Sequence, residues 1–188
     1  LATAPAGILG QRVLQSKPGT LGLQSKALTA DEAVAVAKQV TMTAQVNKSA
    51  VKRGDVVTYR MTVTNGSSVD LLRSGASGGV LIQDTPPEGF TFLPQSVRLR
   101  TAAGLTLSHQ VGQGSAFRLF GAKGSPAGPV GMSLRAGEQL ILTYQMVAGV
   151  NVSPDRVYTS KVSLKTVRGD ALGDEGTVSV RIVSEAEF

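Results

Sequence analysis

Alternation of apolar and polar side chains along short segments constrains the fold of this chain more than any other feature of its sequence. The segment 56–65, VVTYRMTVTN, shows it most clearly. Its apolar and polar sides are Val57, Tyr59, Met61 and Val63, against Thr58, Arg60, Thr62 and Thr64. Successive side chains of a strand point to opposite faces of a sheet, so this period of two predicts a strand with one buried face.

Similar segments follow along the chain, separated by clusters of Gly, Pro, Asn and Asp. The predicted strands are 34–46, 56–65, 80–84, 90–100, 105–111, 116–120, 138–149, 156–167 and 177–184. About nine strands with little helix between them predict an all-β, immunoglobulin-like antiparallel β-sandwich. Parallel strands would need crossover helices, and the sequence shows none. Pro94 predicts an edge or a kink in the strand that contains it.

The N-terminal part of the chain has a different composition. Residues 1–33 mix Gly, Pro and Ser with isolated apolar residues, and no strand or helix period persists. We expect an extended N-terminal arm that packs on its own domain or on a neighbour, with a disordered terminus as the alternative. Residues 34–188 then form the sandwich. Thr29 and Glu32 fit a capping box, so a helical turn is expected at 30–33, before a strand over 34–46.

The composition excludes several classes of function. The chain has no cysteine, which excludes thiol catalysis, thiolate metal sites and disulfides. Its net charge is +6, but the basic residues are spread evenly and aromatic residues are few, so no nucleic-acid partner is predicted. No apolar run approaches the length of a transmembrane segment. Because the chain begins at Leu1, we expect either that a leader was removed or that the chain is part of a longer protein.

Residues for catalysis or metal binding do not form a recognisable pattern. His109 is the single histidine and is expected to be exposed on a strand, too little for a zinc or copper site. A Gly-x-Ser-x-Gly motif is absent. We therefore predict no enzyme, no catalytic residue and no cofactor. One alternative stays open, because the acidic turn with Asp170, Asp174 and Glu175 offers oxygen ligands for calcium without a known calcium-loop spacing.

Two segments, 51–68 and 80–100, carry a resemblance to a known family. The chain resembles the conserved-repeat domain family of bacterial surface and secreted proteins, catalogued as domain of unknown function eleven, which is immunoglobulin-like. The resemblance covers about residues 40–185. The matching residues are Gly54, Asp55, Val57, Tyr59, Val63, Asn65, Asp84, Pro87, Gly89 and Phe90, and Val97 stands in the place of the family's Ser-Val.

These matching residues have expected roles in the architecture rather than in chemistry. Tyr59 is expected to bury its ring and pair its hydroxyl near the sandwich edge. Asn65 and Gly66 are expected to end a strand in the left-handed conformation, and Asp84 to cap the turn after it. Neighbouring surface families cross-link their strands by Lys–Asn isopeptide bonds that need a buried carboxylate. The last predicted strand, 177–184, has neither Asn nor Asp, so no such bond is predicted.

The resemblance implies a non-enzymatic structural or interaction module of a bacterial cell envelope, cell surface or secreted assembly. Expected partners are other envelope or surface proteins, with self-association through the N-terminal arm. A surface layer, a fibre subunit or an accessory of an envelope complex would fit. The alternative is a carbohydrate- or polyanion-binding module that uses Lys52, Arg53, Arg98 and Arg100, and a further alternative is an accessory domain of a hydrolase.

Overall fold

The computed structural model describes residues 11–14, 24–27, 29–72, 78–107, 109–112, 117–121, 131–167 and 169–184. Within these ranges the chain forms one helix and twelve strands. They are β1 (Gln11–Leu14), β2 (Gln24–Ala27), α1 (Ala30–Gln39), β3 (Val40–Val46), β4 (Ala50–Val51), β5 (Val56–Asn65), β6 (Val80–Thr85), β7 (Phe90–Thr101), β8 (His109–Gly112), β9 (Phe117–Gly121), β10 (Gln139–Ala148), β11 (Val157–Thr166) and β12 (Ala171–Ile182).

Two sheets form the sandwich. The four-stranded sheet has the order β3-β5-β10-β7, and the six-stranded sheet has the order β4-β12-β11-β6-β9-β8. Neighbouring strands are antiparallel, except that the short β4 pairs in parallel with β12. The predicted immunoglobulin-like β-sandwich is confirmed. The helix α1 is too short to span a membrane, and no other helix occurs in the described ranges.

The alternation of side chains predicts the core correctly. On β5 and β10 every second residue is at most 1% exposed and faces the six-stranded sheet, as Met61 and Leu142 do. On β11 the buried side is the one with Tyr158, Ser160 and Val162. Burial of one face therefore fixes the register, because a slip by one residue would turn this whole side to water.

The prediction of a strand over 34–46 is wrong for its first six residues. The helix α1 covers Ala30–Gln39, and β3 begins at Val40. The predicted capping box is present, with Glu32 N donating to Thr29 Oγ1 and Thr29 N donating to the Glu32 carboxylate. Ala33, Val36 and Val40 are buried while Val34 is 54% exposed, so the spacing that faces the core is helical, not alternating.

The N-terminal arm contains two strands that the sequence analysis did not predict. β1 and β2 form a separate antiparallel sheet in which Gln11 lies opposite Ala27. The rest of the arm prediction, for residues 1–10, 15–23 and 28, lies outside the described residues. The helix α1 runs across the expected boundary between residues 33 and 34.

Two further strand boundaries differ from the prediction. Residues 105–107 do not continue into β8 as one strand, but fold back on β7, where Leu107 N donates to Leu99 O. The second difference is that β12 begins at Ala171 rather than near residue 177, so the predicted acidic turn is shorter. The pairing of β12 with β11 is irregular near Gly173, which has a φ of +63°. This irregularity allows the strand to continue through residues whose sequence predicts a turn.

Two turn signals in the sequence are explained by the structure. Pro94 lies on the edge strand β7 at a bulge, as predicted, between the residues that pair with Thr143 and Gln145. The left-handed conformation expected at Asn65 and Gly66 is wrong, since neither has a positive φ. Asn65 acts instead through its buried side chain, which donates to Val69 O and Leu134 O and holds the loop.

Candidate functional site

The interior of the sandwich contains a buried carboxylate. Asp84 lies on β6 with no exposed surface, on the same side of the strand as Val80 and Ile82. Its Oδ2 accepts a hydrogen bond from the hydroxyl of Tyr144, which comes from β10 in the opposite sheet. The expected role of Asp84 as a cap of the following turn is therefore wrong, because its parity in the strand points it inward rather than toward the turn.

Two tyrosine rings form the wall beside this carboxylate. Tyr59 and Tyr144 are directly opposite each other on β5 and β10 and stack with ring centroids 5.3 Å apart and an angle of 6°. Phe92 packs its ring edge-on against Tyr144 at 5.9 Å. Tyr59 buries its ring as predicted, but at the centre of the sandwich rather than near its edge. Aromatic stacking thus holds the Tyr144 hydroxyl in place.

The polar groups of this cluster are incompletely paired. Within the described part of the chain, Asp84 Oδ1 and Ser160 Oγ are buried and make no hydrogen bond of normal geometry. Burial raises the pKa of Asp84 from 3.8 to about 7, and the hydrogen bond from Tyr144 only partly opposes this rise. Burial also raises the pKa of Tyr59 to about 12. The neighbouring Ser160 hydroxyl opposes this rise, and the charge of Asp84 adds to it. The pKa of Tyr144 is raised well above 10 by burial and by Asp84.

The cluster supplies one of the three groups that an isopeptide bond needs. Asp84 corresponds to the buried carboxylate. Its neighbours Tyr144 and Ser160 carry hydroxyls, not the amine and amide groups that an isopeptide bond joins. The buried residues of the described chain include no lysine. An enclosed carboxyl with a pKa near neutral can take up or lose a proton. The free energy of unfolding then depends on pH.

The four cations that the sequence analysis grouped as a polyanion site do not lie together. Lys52 and Arg53 belong to the turn before β5, where Gly54 N donates to Ala148 O at the end of β10. Arg53 Nε is bonded to Val152 O at 2.8 Å. Arg98 and Arg100 lie opposite Thr143 and Ile141, which precede Ala148 on β10 by five and seven residues. At about 3.4 Å per residue, the two groups are roughly 17–24 Å apart.

A different cationic surface forms on the outer side of the four-stranded sheet. Arg60 on β5 and Arg98 on β7 both lie opposite Thr143 of β10, so the three residues make one row across the sheet. Arg100 follows two residues after Arg98 on the same side. The outward residues around them are mostly Thr and Gln, and we call this surface the arginine–threonine face: Arg60, Arg98, Arg100, Thr58, Thr62, Thr143 and Gln145.

An open strand edge forms a third feature. β3 ends the four-stranded sheet and pairs only with β5 among the described strands. Beside it lies a groove of about 630 Å³ between α1, β3 and the start of β12, lined by residues such as Ala37, Met42 and Gly173. Gly173 approaches Val40 O so closely that an added Cβ would lie 2.3 Å from it. The open part of the edge therefore runs from Met42 to Val46.

The remaining candidates from the sequence stay apart. His109 is half-buried on β8, with Nδ1 3.3 Å from Leu107 O, rather than exposed as expected. Asp170 accepts from the Thr166 hydroxyl, whereas Asp174 and Glu175 lie on β12, and Glu175 is 4.0 Å from Lys161. Among the residues that the structure describes, no three His, Asp or Glu side chains are grouped to hold a metal ion. The calcium alternative gains no support from this arrangement.

Arg60 and Tyr144 are members of these sites that the sequence did not indicate. The parity of each residue was correct, with Arg60 outward and Tyr144 inward. Neither the row across β5, β10 and β7 nor the contact between Asp84 and Tyr144 is a local property, because both depend on which strands become neighbours. A local signal existed only for Asp84, whose parity with Val80 and Ile82 already pointed to the core.

Comparisons with known proteins identify the fold without identifying a family. No protein-family model matches the chain, and no curated protein matches it. Among solved structures, the N-terminal domain of the adhesin Sgo0707 of Streptococcus gordonii superposes with a TM-score of 0.55 at 14% identity, over 76% of this chain. The T6 backbone pilin of serotype M6 Streptococcus pyogenes gives 0.51 at 12% identity over 85% of this chain.

A third similar structure is the 35 kDa C-terminal fragment of the major pilin GBS80 of Streptococcus agalactiae, with a TM-score of 0.50 at 10% identity over 78% of this chain. The chain spans 32%, 37% and 56% of these three proteins, in the order given. Such identities show a shared fold alone. The immunoglobulin-like sandwich of adhesins and pilins is therefore the architecture of this chain.

Proposed function

We propose that this chain is a non-enzymatic structural module of a bacterial cell-surface or extracellular assembly, which acts through protein–protein contacts. Its fold is that of an adhesin domain and of two pilins. The ionisable centre at Asp84 is sealed between the sheets, so it offers a substrate no access. The observation that carries the proposal is the open edge of β3, which presents unpaired backbone groups to a partner.

The hydrogen-bond pattern shows which backbone groups this edge presents. Asn47 N donates to Thr58 O, and Gly66 N donates to Gln39 O. In an antiparallel pair the bonded positions alternate, so the odd-numbered residues 41, 43 and 45 bond to β5. The N–H and C=O groups of Met42, Ala44 and Val46 then point away from β5. A strand from another chain can bond to them and extend the sheet.

The two edges of this sheet differ in how they are protected. β3 has no charged residue, no proline and no bulge over its seven residues. β7 carries Pro94 in a bulge, and residues 105–107 cover the end of the strand. Charges, prolines and bulges are the devices that keep sheet edges from pairing. The unprotected β3 edge is therefore the one suited to an added strand.

The partner that we propose is the N-terminal arm of a second copy. The arm contains the two-stranded sheet of β1 and β2. A sheet of two strands is marginally stable by itself in water, so it depends on a surface to pack against. Docking of this arm on the β3 edge of the next copy is a head-to-tail contact, which builds an open chain of subunits. The resemblance to the conserved-repeat domain family remains a prediction that agrees with this role.

Deletion of residues 1–28 should abolish self-association and leave the sandwich folded. The full chain is expected to form oligomers in a concentration-dependent way, because each arm binds the edge of another copy. Sedimentation velocity over a range of concentrations measures this, and circular dichroism with thermal unfolding checks the fold. A truncated chain that is unfolded would show that the arm belongs to the core of its own domain, and one that associates like the full chain would exclude the arm as the docking element.

Ala44→Pro should weaken the same association while the fold persists. Proline removes the N–H of Ala44, which points to the open edge, so no bond to β5 is lost. We expect the dissociation constant to rise by about tenfold or more, the loss of roughly one hydrogen bond. The matched control is Thr43→Pro, which removes a bond to β5 and should lower the free energy of unfolding by about 1–3 kcal/mol. Association of Ala44→Pro with wild-type affinity would argue against strand addition at β3.

A further inference from the structure

The arginine–threonine face carries positive charge that no carboxylate compensates. None of the outward positions on β3, β5, β10 and β7 holds Asp or Glu. The ion pairs in the described part of the chain are Lys161–Glu175, between β11 and β12, and Arg181–Asp155, between β12 and the turn before β11. The two faces of the molecule thus differ, because one mixes charges of both signs and the other presents arginine alone.

The spacing of the arginines suits repeated acidic groups. Arg60 and Arg98 are separated by one strand, so their Cα atoms are about 9–10 Å apart, and Arg100 lies roughly 7 Å from Arg98 along β7. A depression of about 220 Å³ lies between Arg60 and Arg100 and is lined by Thr101 and Thr143. The two guanidinium groups and the threonine hydroxyls of this lining can hold an anionic group by charge-assisted hydrogen bonds.

Arg98 is already held in place. Its Nη1 donates to Gln95 O and Val97 O, both at 2.8 Å, within the bulge of β7. A guanidinium has five N–H donors, so those on Nε and Nη2 remain for a ligand beyond these two bonds. Because the side chain is fixed before binding, less conformational entropy is lost when a ligand binds.

The surroundings of the arginines favour one class of polymer. Thr58, Thr62 and Gln145 provide neutral donors and acceptors of the kind that bond to sugar hydroxyls. No aromatic side chain lies at an outward position of β3, β5 or β10, so bases have nothing to stack on, which disfavours single-stranded nucleic acid. The residues of the arginine–threonine face also spread over three neighbouring strands, β5, β10 and β7, which fits an extended chain better than a compact ligand.

We infer that the arginine–threonine face binds a linear polysaccharide that carries carboxylate or sulfate groups, with Arg60, Arg98 and Arg100 as the contacts to its anions. The inference is independent of the proposed structural role, because the face lies on the outer side of the sheet and the docking edge lies along β3. A surface module that binds an acidic polysaccharide on this face and a protein at its β3 edge would link the polysaccharide to the protein assembly.

The test is calorimetric titration of the full chain with heparin and, separately, with alginate, which carries carboxylates only. The variant is Arg60→Gln/Arg98→Gln/Arg100→Gln. Its matched control, Lys38→Gln/Lys161→Gln/Lys165→Gln, removes the same charge from other surfaces. We expect the dissociation constant of the arginine variant to rise by more than about tenfold and its dependence on salt to flatten, with the control near wild type. Thermal unfolding verifies that both variants are folded.

Three outcomes would overturn the inference. Equal losses in both triple variants would mean that binding follows net charge alone. Absence of binding to both polysaccharides by the wild-type chain would remove the site. Tighter binding of an oligothymidylate than of either polysaccharide would assign the face to nucleic acid. Binding of heparin without alginate would keep the site and restrict its ligand to sulfate, and an Arg→Lys triple variant then measures the contribution of bidentate contacts.

Discussion

The free energy of unfolding should fall by about 4 kcal/mol between roughly pH 4 and pH 8 in the wild-type protein, and Asp84→Asn should remove this fall. The pKa of Asp84 rises from 3.8 to about 7 in the folded chain because burial disfavours the charged carboxylate. Each unit of pKa difference corresponds to about 1.4 kcal/mol. Asn keeps the shape of the neutral acid and cannot ionise. The variant should therefore have nearly the same free energy of unfolding at pH 4 and at pH 8.

The direction follows from the protons bound by each state. Between the two pKa values the unfolded chain has lost the Asp84 proton and the folded chain retains it. The unfolded state then binds fewer protons, so stability declines as pH rises and levels off above the folded pKa of about 7. Tyr59, with a pKa of about 12, titrates above this range. Among the shifted groups of the described residues, the decline near neutrality therefore belongs to Asp84.

Urea denaturation at several pH values measures this dependence. The matched control is Asp155→Asn, which changes an exposed carboxylate that lies 3.6 Å from Arg181. That variant should keep the wild-type slope. If Asp84→Asn retained the full slope, the carboxylate would not be the titrating group, and the cluster with Tyr144 would have no part in the pH dependence.

Gly173→Ala should destabilise the protein by about 3 kcal/mol or more. A Cβ at this position would lie 2.3 Å from Val40 O, and the glycine has a φ of +63°. The obstacle is backbone at the start of β3, so no side chain can move aside. The two sheets would have to separate at the junction of α1 and β3, which adds lost packing to the backbone strain.

Gly104→Ala separates these two contributions. Gly104 also has a positive φ, +87°, but nothing lies within 4 Å of an added Cβ. Its substitution should cost only the conformational strain, about 1–2 kcal/mol. Chemical denaturation of both variants gives the comparison. Equal losses would mean that the approach of β12 to β3 imposes no steric limit at this position.

The choice between helix and strand at residues 34–39 shows where local reasoning fails. Val34, Val36 and Val40 share one parity, whereas Ala33, Val36 and Val40 share one helical face. Both periods were present, and the capping box at Thr29 and Glu32 favoured the helix at its start. Burial of Ala33 and Val36 against the sandwich decided between them. The same applies to Gly173, which resembles a turn residue and serves to bring β12 close to β3.

Asp84 illustrates a site that was half predictable. Its parity with Val80 and Ile82 placed it inward, yet a carboxylate after a strand and before TPPEG also suggested a cap. Its partner Tyr144 lies 60 residues away in sequence. Nothing local indicates that β6 and β10 face each other, so the raised pKa of Asp84 follows only from the packed sheets.

By itself the amino-acid sequence indicated most strands of the sandwich and the side of each that faces the core, because alternation along an extended chain is a local property. It did not distinguish the helix at residues 34–39 from a strand. It also limited the chemistry, since the chain has no cysteine and one histidine. Only the tertiary structure decided which strands are neighbours. Arg60 and Arg98 became one row, Asp84 met Tyr144, and the edge of β3 stayed open because pairing order and register arise from contacts between segments that are distant in sequence.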